Sequence, residues 1–87
     1  MEIKTTLEFR LKVAKLCRKN KSIGNKIDQK LRILSLFPNH PSLRLHKLQA
    51  NNLENWSISI DKKNRIIFIY QEYGILLINI GSHDQVY

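Results

Sequence analysis

Residues 56–70 read WSISIDKKNRIIFIY. Trp56, Ile58 and Ile60 alternate with Ser57 and Ser59, the period of two expected of a strand with one buried face. Asp61-Lys62-Lys63-Asn64 is wholly polar and reads as a hairpin turn. Arg65–Tyr70 is apolar on nearly both faces, as a central strand should be. One hairpin is therefore placed, and the rest of the chain can be arranged around it.

Downstream, "QEYG" (71–74) turns into "ILLINI" (75–80), a second nearly apolar strand. Upstream, "LRLHKL" (43–48) also alternates, with Leu43, Leu45 and Lys47 on one side and Arg44, His46 and Leu48 on the other. "QANNLEN" is a polar connection. Earlier still the period lengthens. Phe9, Val13, Leu16 and Cys17 recur at helical spacing, so a first helix runs to about Asn20. Thr5 or Thr6 can cap it, and Glu8, three residues after Thr5, suits a capping box. Ser22 can cap a second helix carrying Ile23, Ile27, Leu31 and Leu34. Pro38 forbids its continuation and forces Phe37 out of helical geometry. "FPNHPS" is then a loop, and "MEIKT" (1–5) can form a short edge strand.

The expected architecture is α+β in one domain, 1–87. Two N-terminal helices pack on one face of a four-stranded antiparallel sheet, with room for an extra N-terminal edge strand. Helices can cover only one face, which leaves the other for a ligand or partner.

Fifteen Lys and Arg stand against seven Asp and Glu, a net charge of +8. On so small a body this favours a polyanion or an acidic protein as partner, plain solubility being the blander account. Cys17, the one cysteine, excludes an internal disulfide and a cysteine-based zinc site. The N-terminus lacks the apolar segment of a signal peptide, and the apolar runs are too short to span a bilayer, so a cytoplasmic location is expected.

There is no glycine-rich phosphate loop and no acid cluster with metal spacing. A two-metal nuclease needs convergent carboxylates, so neither metal nor cofactor is expected. RNA can be cut without metal, because its 2′-hydroxyl attacks the adjacent phosphate if a base, an acid and a cation assist. Histidine suits the proton transfers and arginine the phosphate. The candidates are His46, His83, Arg65, Arg44 and Tyr87. Each also has a plainer reading: a strand histidine for His46, a turn charge for Arg65, a frayed end for His83. His40 reads as a loop residue and Trp56 as core.

The arrangement says more than its parts. Two helices, then "LHKLQANNLENWSISIDKKNRIIF" (45–68), then "LLINIGSHDQVY" (76–87), resembles the RelE/ParE superfamily of toxins from type II toxin–antitoxin systems, over nearly the whole chain. Gly81, His83 and Tyr87 look like the ending of its YafQ-like branch; "HKL…WSISI…RIIF" looks like YoeB-type relatives. There the position of His46 carries the proposed general base and that of Arg65 the phosphate-binding arginine. The resemblance implies a ribosome-dependent, metal-independent mRNA endonuclease (an mRNA interferase) that inhibits translation and is silenced by a cognate antitoxin. His46 and His83 would share the acid and base roles, with the order open. Tyr87 would orient or stack on the nucleotide. Arg44, Lys47, Lys62 and Lys63 would bind RNA beside the site, and Lys12, Lys15 and Lys19 would grip ribosomal RNA. The sequence departs from the YafQ-like pattern in its middle strands, where Asp61 is the one acid in "WSISIDKKN". A ParE-like inhibitor of DNA gyrase and a non-catalytic nucleic-acid-binding domain are the alternatives; the terminal histidine favours the nuclease.

Overall fold

A computed structural model describes residues 1–50 and 53–86. Strand β1 (Glu2–Thr5) leads into helices α1 (Leu7–Lys19) and α2 (Ile23–Leu36). A 3-10 turn (Pro41–Leu43) precedes strands β2 (His46–Ala50), β3 (Leu53–Ser59), β4 (Asn64–Gln71) and β5 (Gly74–Ser82), and α3 is a single turn, His83–Val86. The sheet order is β1-β5-β4-β3-β2. The four expected strands form an antiparallel meander, while β1 joins parallel to β5, Ile3 opposite Ile75. The sheet is therefore mixed and five-stranded.

Thr6 is the cap of α1; its Oγ1 accepts from Phe9 N–H at 3.0 Å. The third helical position is thus Phe9, and Glu8 cannot close a capping box. Glu8 instead lies 3.5 Å from Lys12, one turn on. Ser22 precedes α2 without capping it: its hydroxyl donates to Asn20 Oδ1 at 2.8 Å. Phe37 ends α2 at φ −138°, ψ 73°, as the following proline requires.

Ile58, Ile66 and Ile80 stand opposite one another across β3, β4 and β5, and with Phe68 and Leu77 they make the sheet's half of the core. Phe9, Ile23, Ile27 and Leu34 supply the helical half. Full burial of each such side chain contributes about 1.5–3 kcal/mol. Cys17 and Trp56 pack at the margin of this cluster, as a core filler and a core aromatic would. Between Ile67/Asn79 and Phe68/Leu77 the register of β5 slips by one, leaving Ile78 as a bulge.

Gly74 explains how β1 can lie so close. Its φ is +150°, and a Cβ there would stand 2.2 Å from the carbonyl oxygen of Glu2. Read from sequence alone, Gly74 is only a turn residue. The opposite face of the sheet carries His46, Ser57, Ser59, Arg65 and Ile67, as the pairings His46–Ser57–Ile67 and Ser59–Arg65 require. That face is partly covered, since Ser57 is fully buried and Ile67 is 2% exposed.

Candidate active site

The site begins with the turn before β2. Pro41 fixes the first φ of a 3-10 turn, and His40 caps it, its Nδ1 accepting from Ser42 N–H at 3.1 Å. Lys30 of α2 donates to the Ser42 carbonyl at 2.9 Å and ties the turn to the helix layer. Arg44 closes the turn in the left-handed region, φ 47°, ψ 46°. This corrects the reading of 43–48 as one continuous strand. The strand starts at His46, so Arg44 and His46 do not share a strand face. Leucines at 43 and 45 mimic a period of two, but the turn geometry after two prolines wins.

The left-handed backbone of Arg44 brings its carbonyl to Arg65. From β4 the Arg65 side chain crosses β3 towards β2. Its Nε donates to Ser57 Oγ at 2.6 Å, and its Nη2 donates to the Arg44 carbonyl at 3.0 Å. The same Nη2 lies 3.2 Å from His46 Nδ1, which is itself 3.3 Å from the Arg44 carbonyl. Ser57 is what makes the crossing possible: a larger side chain would lift the guanidinium off the sheet. Sequence reasoning passed over it as the outward residue of "WSISI". The available signal was a small polar residue on the face shared with His46 and Arg65.

Arg65 opens onto a cleft of about 420 Å³ that His83 also lines. Lys30, Arg44, Lys62 and Lys63 border it, with Asp61 as the acid of the group. Asp61 is committed to its own turn. Its Oδ1 accepts from Asn64 N–H at 2.7 Å and from Lys63 N–H at 2.9 Å. Partial burial alone would raise the Asp61 pKa, but those two N–H groups, the Asn64 amide and nearby Lys26 outweigh it and hold the carboxyl below its usual range. The turn thus stays ionised and ordered while presenting Lys62 and Lys63. The cleft is strongly cationic, which suits a phosphate diester.

Other expected residues lie elsewhere. Lys47 stands opposite Trp56, on the helix side of the sheet, and pairs with exposed Glu54 at 3.3 Å. Lys12, Lys15 and Lys19 line a separate groove of about 270 Å³ with Leu16 and Ile80. Lys12 is held there, its Nζ donating to Asn79 Oδ1 at 2.5 Å. His83 Nδ1 lies 3.8 Å from Asp84 in an exposed pair. Tyr87 lies outside the described residues. Among those described, no group of three or more His, Cys, Asp or Glu could hold a metal ion, and no helix is long and apolar enough to cross a membrane.

No protein-family model matches the sequence, and no curated protein does. Solved structures do match. YafQ from E. coli strain BL21(DE3) superposes with a TM-score of 0.80 at 17% identity, over 99% of this chain and 97% of that one. A YoeB/ParE toxin from Agrobacterium tumefaciens does so with 0.80 at 19% identity, over 95% and 99%. A YoeB from Staphylococcus aureus gives 0.74 at 17% identity, over 95% and 97%. The fold is that of the RelE/ParE toxins. At such identities the likeness is one of architecture, and the RelE/ParE fold here includes the parallel N-terminal strand as well as the meander. The chemistry has to be argued from Arg65, His46 and His83 themselves.

Proposed function

We propose that this chain is the toxin of a toxin–antitoxin system and that it cuts mRNA on the ribosome without metal. The observation that carries the reading is Arg65. Its guanidinium is anchored by Ser57 and the Arg44 carbonyl, contacts His46, and opens onto a cationic cleft shared with His83. Arginine's fork can take two oxygens of the scissile phosphate and stabilise charge that builds on it in the transition state. One histidine removes the 2′-hydroxyl proton and the other protonates the departing 5′-oxygen, each a role that contributes about 10²–10⁴-fold. Bond making at phosphorus by the 2′-oxygen and bond breaking to the 5′-oxygen leave a 2′,3′-cyclic phosphate and a 5′-hydroxyl. The lysine groove on α1, apart from the cleft, supports a docking role on ribosomal RNA for Lys12, Lys15 and Lys19. Among the solved structures of this fold is an E. coli DinJ–YafQ toxin–antitoxin complex, which supports a cognate antitoxin as partner here. A gyrase inhibitor that cleaves nothing would have no use for two histidines around an anchored arginine.

The test is induction of the chain alone in a bacterium, with primer extension on translated mRNA. Wild type should stop growth and leave cuts at ribosome-occupied sites. His83→Ala and Arg65→Ala should each abolish the cuts while remaining folded. Undiminished cutting by either variant would refute the reading, and so would 5′-phosphate ends made directly by the protein.

A further inference from the structure

Lys30 stands where an apolar residue would be expected. Ile23, Ile27 and Leu34 of α2 are buried, and position 30 continues their row at helical spacing. A lysine on such a row covers apolar surface with its stem and must bring its ammonium to water or to a partner. Here the partly buried Nζ donates to the Ser42 carbonyl at 2.9 Å. Among the described residues no carboxylate pairs with Lys30, whereas Lys12, Lys26 and Lys47 each have one. Once the carbonyl is served, two of the three donors of an ammonium remain.

Lys30 and Arg65 come from different layers, helix and sheet, yet carbonyls of one turn fix both: Ser42 holds Lys30 and Arg44 holds Arg65. Two residues of chain span at most about 7 Å, so the two cations are held at neighbouring points. Both line the same cleft of about 420 Å³, a size that suits a nucleotide better than a lone phosphate. Ser42 lines it too, and its Oγ is buried with no hydrogen-bond partner, which is uncommon for a buried hydroxyl. The Ser42 N–H goes to His40 and its carbonyl to Lys30, so the hydroxyl is the polar group of this residue that the fold does not use. Asp61, the acid at the cleft, is engaged by its own turn and lies 4.0 Å from Lys26.

Resting on the function proposed above, we infer that the cleft holds two successive phosphates of the RNA strand. Arg65 takes the scissile one. Lys30 and Ser42 form a second subsite for the phosphate one nucleotide away. Lys30 supplies charge and two N–H donors, and the Ser42 hydroxyl turns from its buried position to donate as well. The two phosphates are tied together through one ribose, as the two cations are tied together through one turn. The second contact lies away from the bond that breaks, so it acts by orientation. Fixing a flanking phosphate leaves the scissile one little freedom to turn against Arg65 and the histidines. The subsite reads no base, because every nucleotide carries the same phosphate.

The probe is a 2′-deoxynucleoside 3′,5′-bisphosphate, which carries two phosphates across one sugar and has no 2′-hydroxyl to attack either. It is titrated into the whole chain by NMR at fixed salt and compared with the 3′- and 5′-monophosphates. Wild type should bind the bisphosphate about tenfold more tightly than either monophosphate, the worth of one charged hydrogen bond. Lys30→Met should remove most of that preference, and Lys30→Arg should keep it. Arg32→Met deletes the same charge from the exposed side of the same helix, where Arg32 pairs with Asp28 at 3.2 Å, and should keep it too. Ser42→Ala should lower the preference while leaving stability unchanged or raised, since it deletes an unpaired buried hydroxyl. If Lys30→Met does not fold, Lys30→Gln replaces it, because glutamine keeps a donor for the Ser42 carbonyl. A lysine that only ties the turn to the helix would weaken both kinds of ligand equally, and that result would overturn the inference. So would a wild type without the preference, including one that binds neither ligand, or an equal loss of preference in Arg32→Met. A wild type that shows the preference yet cuts no translated mRNA would refute the proposed function and leave the second subsite in place. One that cuts without showing the preference would do the reverse.

Discussion

Ser57→Ala is the sharpest probe of how the site is assembled, because it changes neither charge nor backbone. Ser57 Oγ is fully buried and accepts from Arg65 Nε at 2.6 Å. A hydrogen bond to a charged group contributes about 1.5–3 kcal/mol when shielded. Arg65 is half-buried, and water can reach part of its guanidinium, so the lower end applies, about 1–1.5 kcal/mol. That loss should lower Tm by about 4–12 °C in a domain of this size. In catalysis the same energy loosens the guanidinium and should slow single-turnover cleavage about five- to tenfold. Urea unfolding gives the first number and a ribosome cleavage assay the second. The control is a double-mutant cycle read in stability: with Arg65→Ala already present, Ser57→Ala should cost clearly less than it does in wild type. A Ser57→Ala protein that loses stability yet cleaves at the wild-type rate would show that Ser57 supports the fold and not the arginine. Additive defects in the cycle would sink the reasoning in the same way.

Three further outcomes follow from the structure. Gly74→Ala should cost about 1–3 kcal/mol, measured by urea unfolding, because its Cβ collides with the Glu2 carbonyl and β1 must detach; a near-neutral effect would mean β1 contributes nothing to stability. Asp61 has its folded pKa below its unfolded one, so its stabilisation is complete above the unfolded value and is lost as pH falls through the folded value. Asp61→Asn should therefore be less stable than wild type at pH 7, and the gap should close below about pH 4; a constant gap across an acid titration would contradict this. Replacing Lys12, Lys15 and Lys19 together with alanine should weaken ribosome binding and flatten its salt dependence more than it slows cleavage at saturation. Equal loss of both would deny the lysine groove a separate docking role.

Much of this molecule is legible in residues that repeat. The spacings of Phe9 to Cys17 and Ile23 to Leu34, the stop at Pro38 and the alternation of Trp56 to Ile60 each encode an element through burial, and each element forms. What sequence alone did not disclose is non-local. Nothing in "MEIKT" announces that it pairs parallel to β5, because that ladder depends on Gly74 admitting Glu2. The polar segment "QANNLEN" also hides strand: β2 reaches Ala50 and β3 starts at Leu53, with Asn51 and Asn52 outside the described residues. For the site, the types at His46, Arg65 and His83 were readable as chemistry. Their meeting was not, since it depends on Arg44 leaving the strand pattern and on Ser57 being small enough to cross. The expectation for Tyr87 falls outside the described residues.

The parallel strand also has a consequence for synthesis. Ile3 pairs with Ile75, so the loop that must close is nearly the length of the chain. Domains made on a ribosome fold as their segments emerge, and β1 emerges long before its partner. Until β5 is out, β1 has no ladder to join. Until β5 is out, too, Arg65 lacks the strand bearing Gly81 opposite it, and His83 does not exist as part of a cleft. Completion of the sheet and completion of the site are therefore one event, and both wait for β5 and the turn that follows it. On the function proposed, a nascent copy gains its activity only when that strand has joined the sheet.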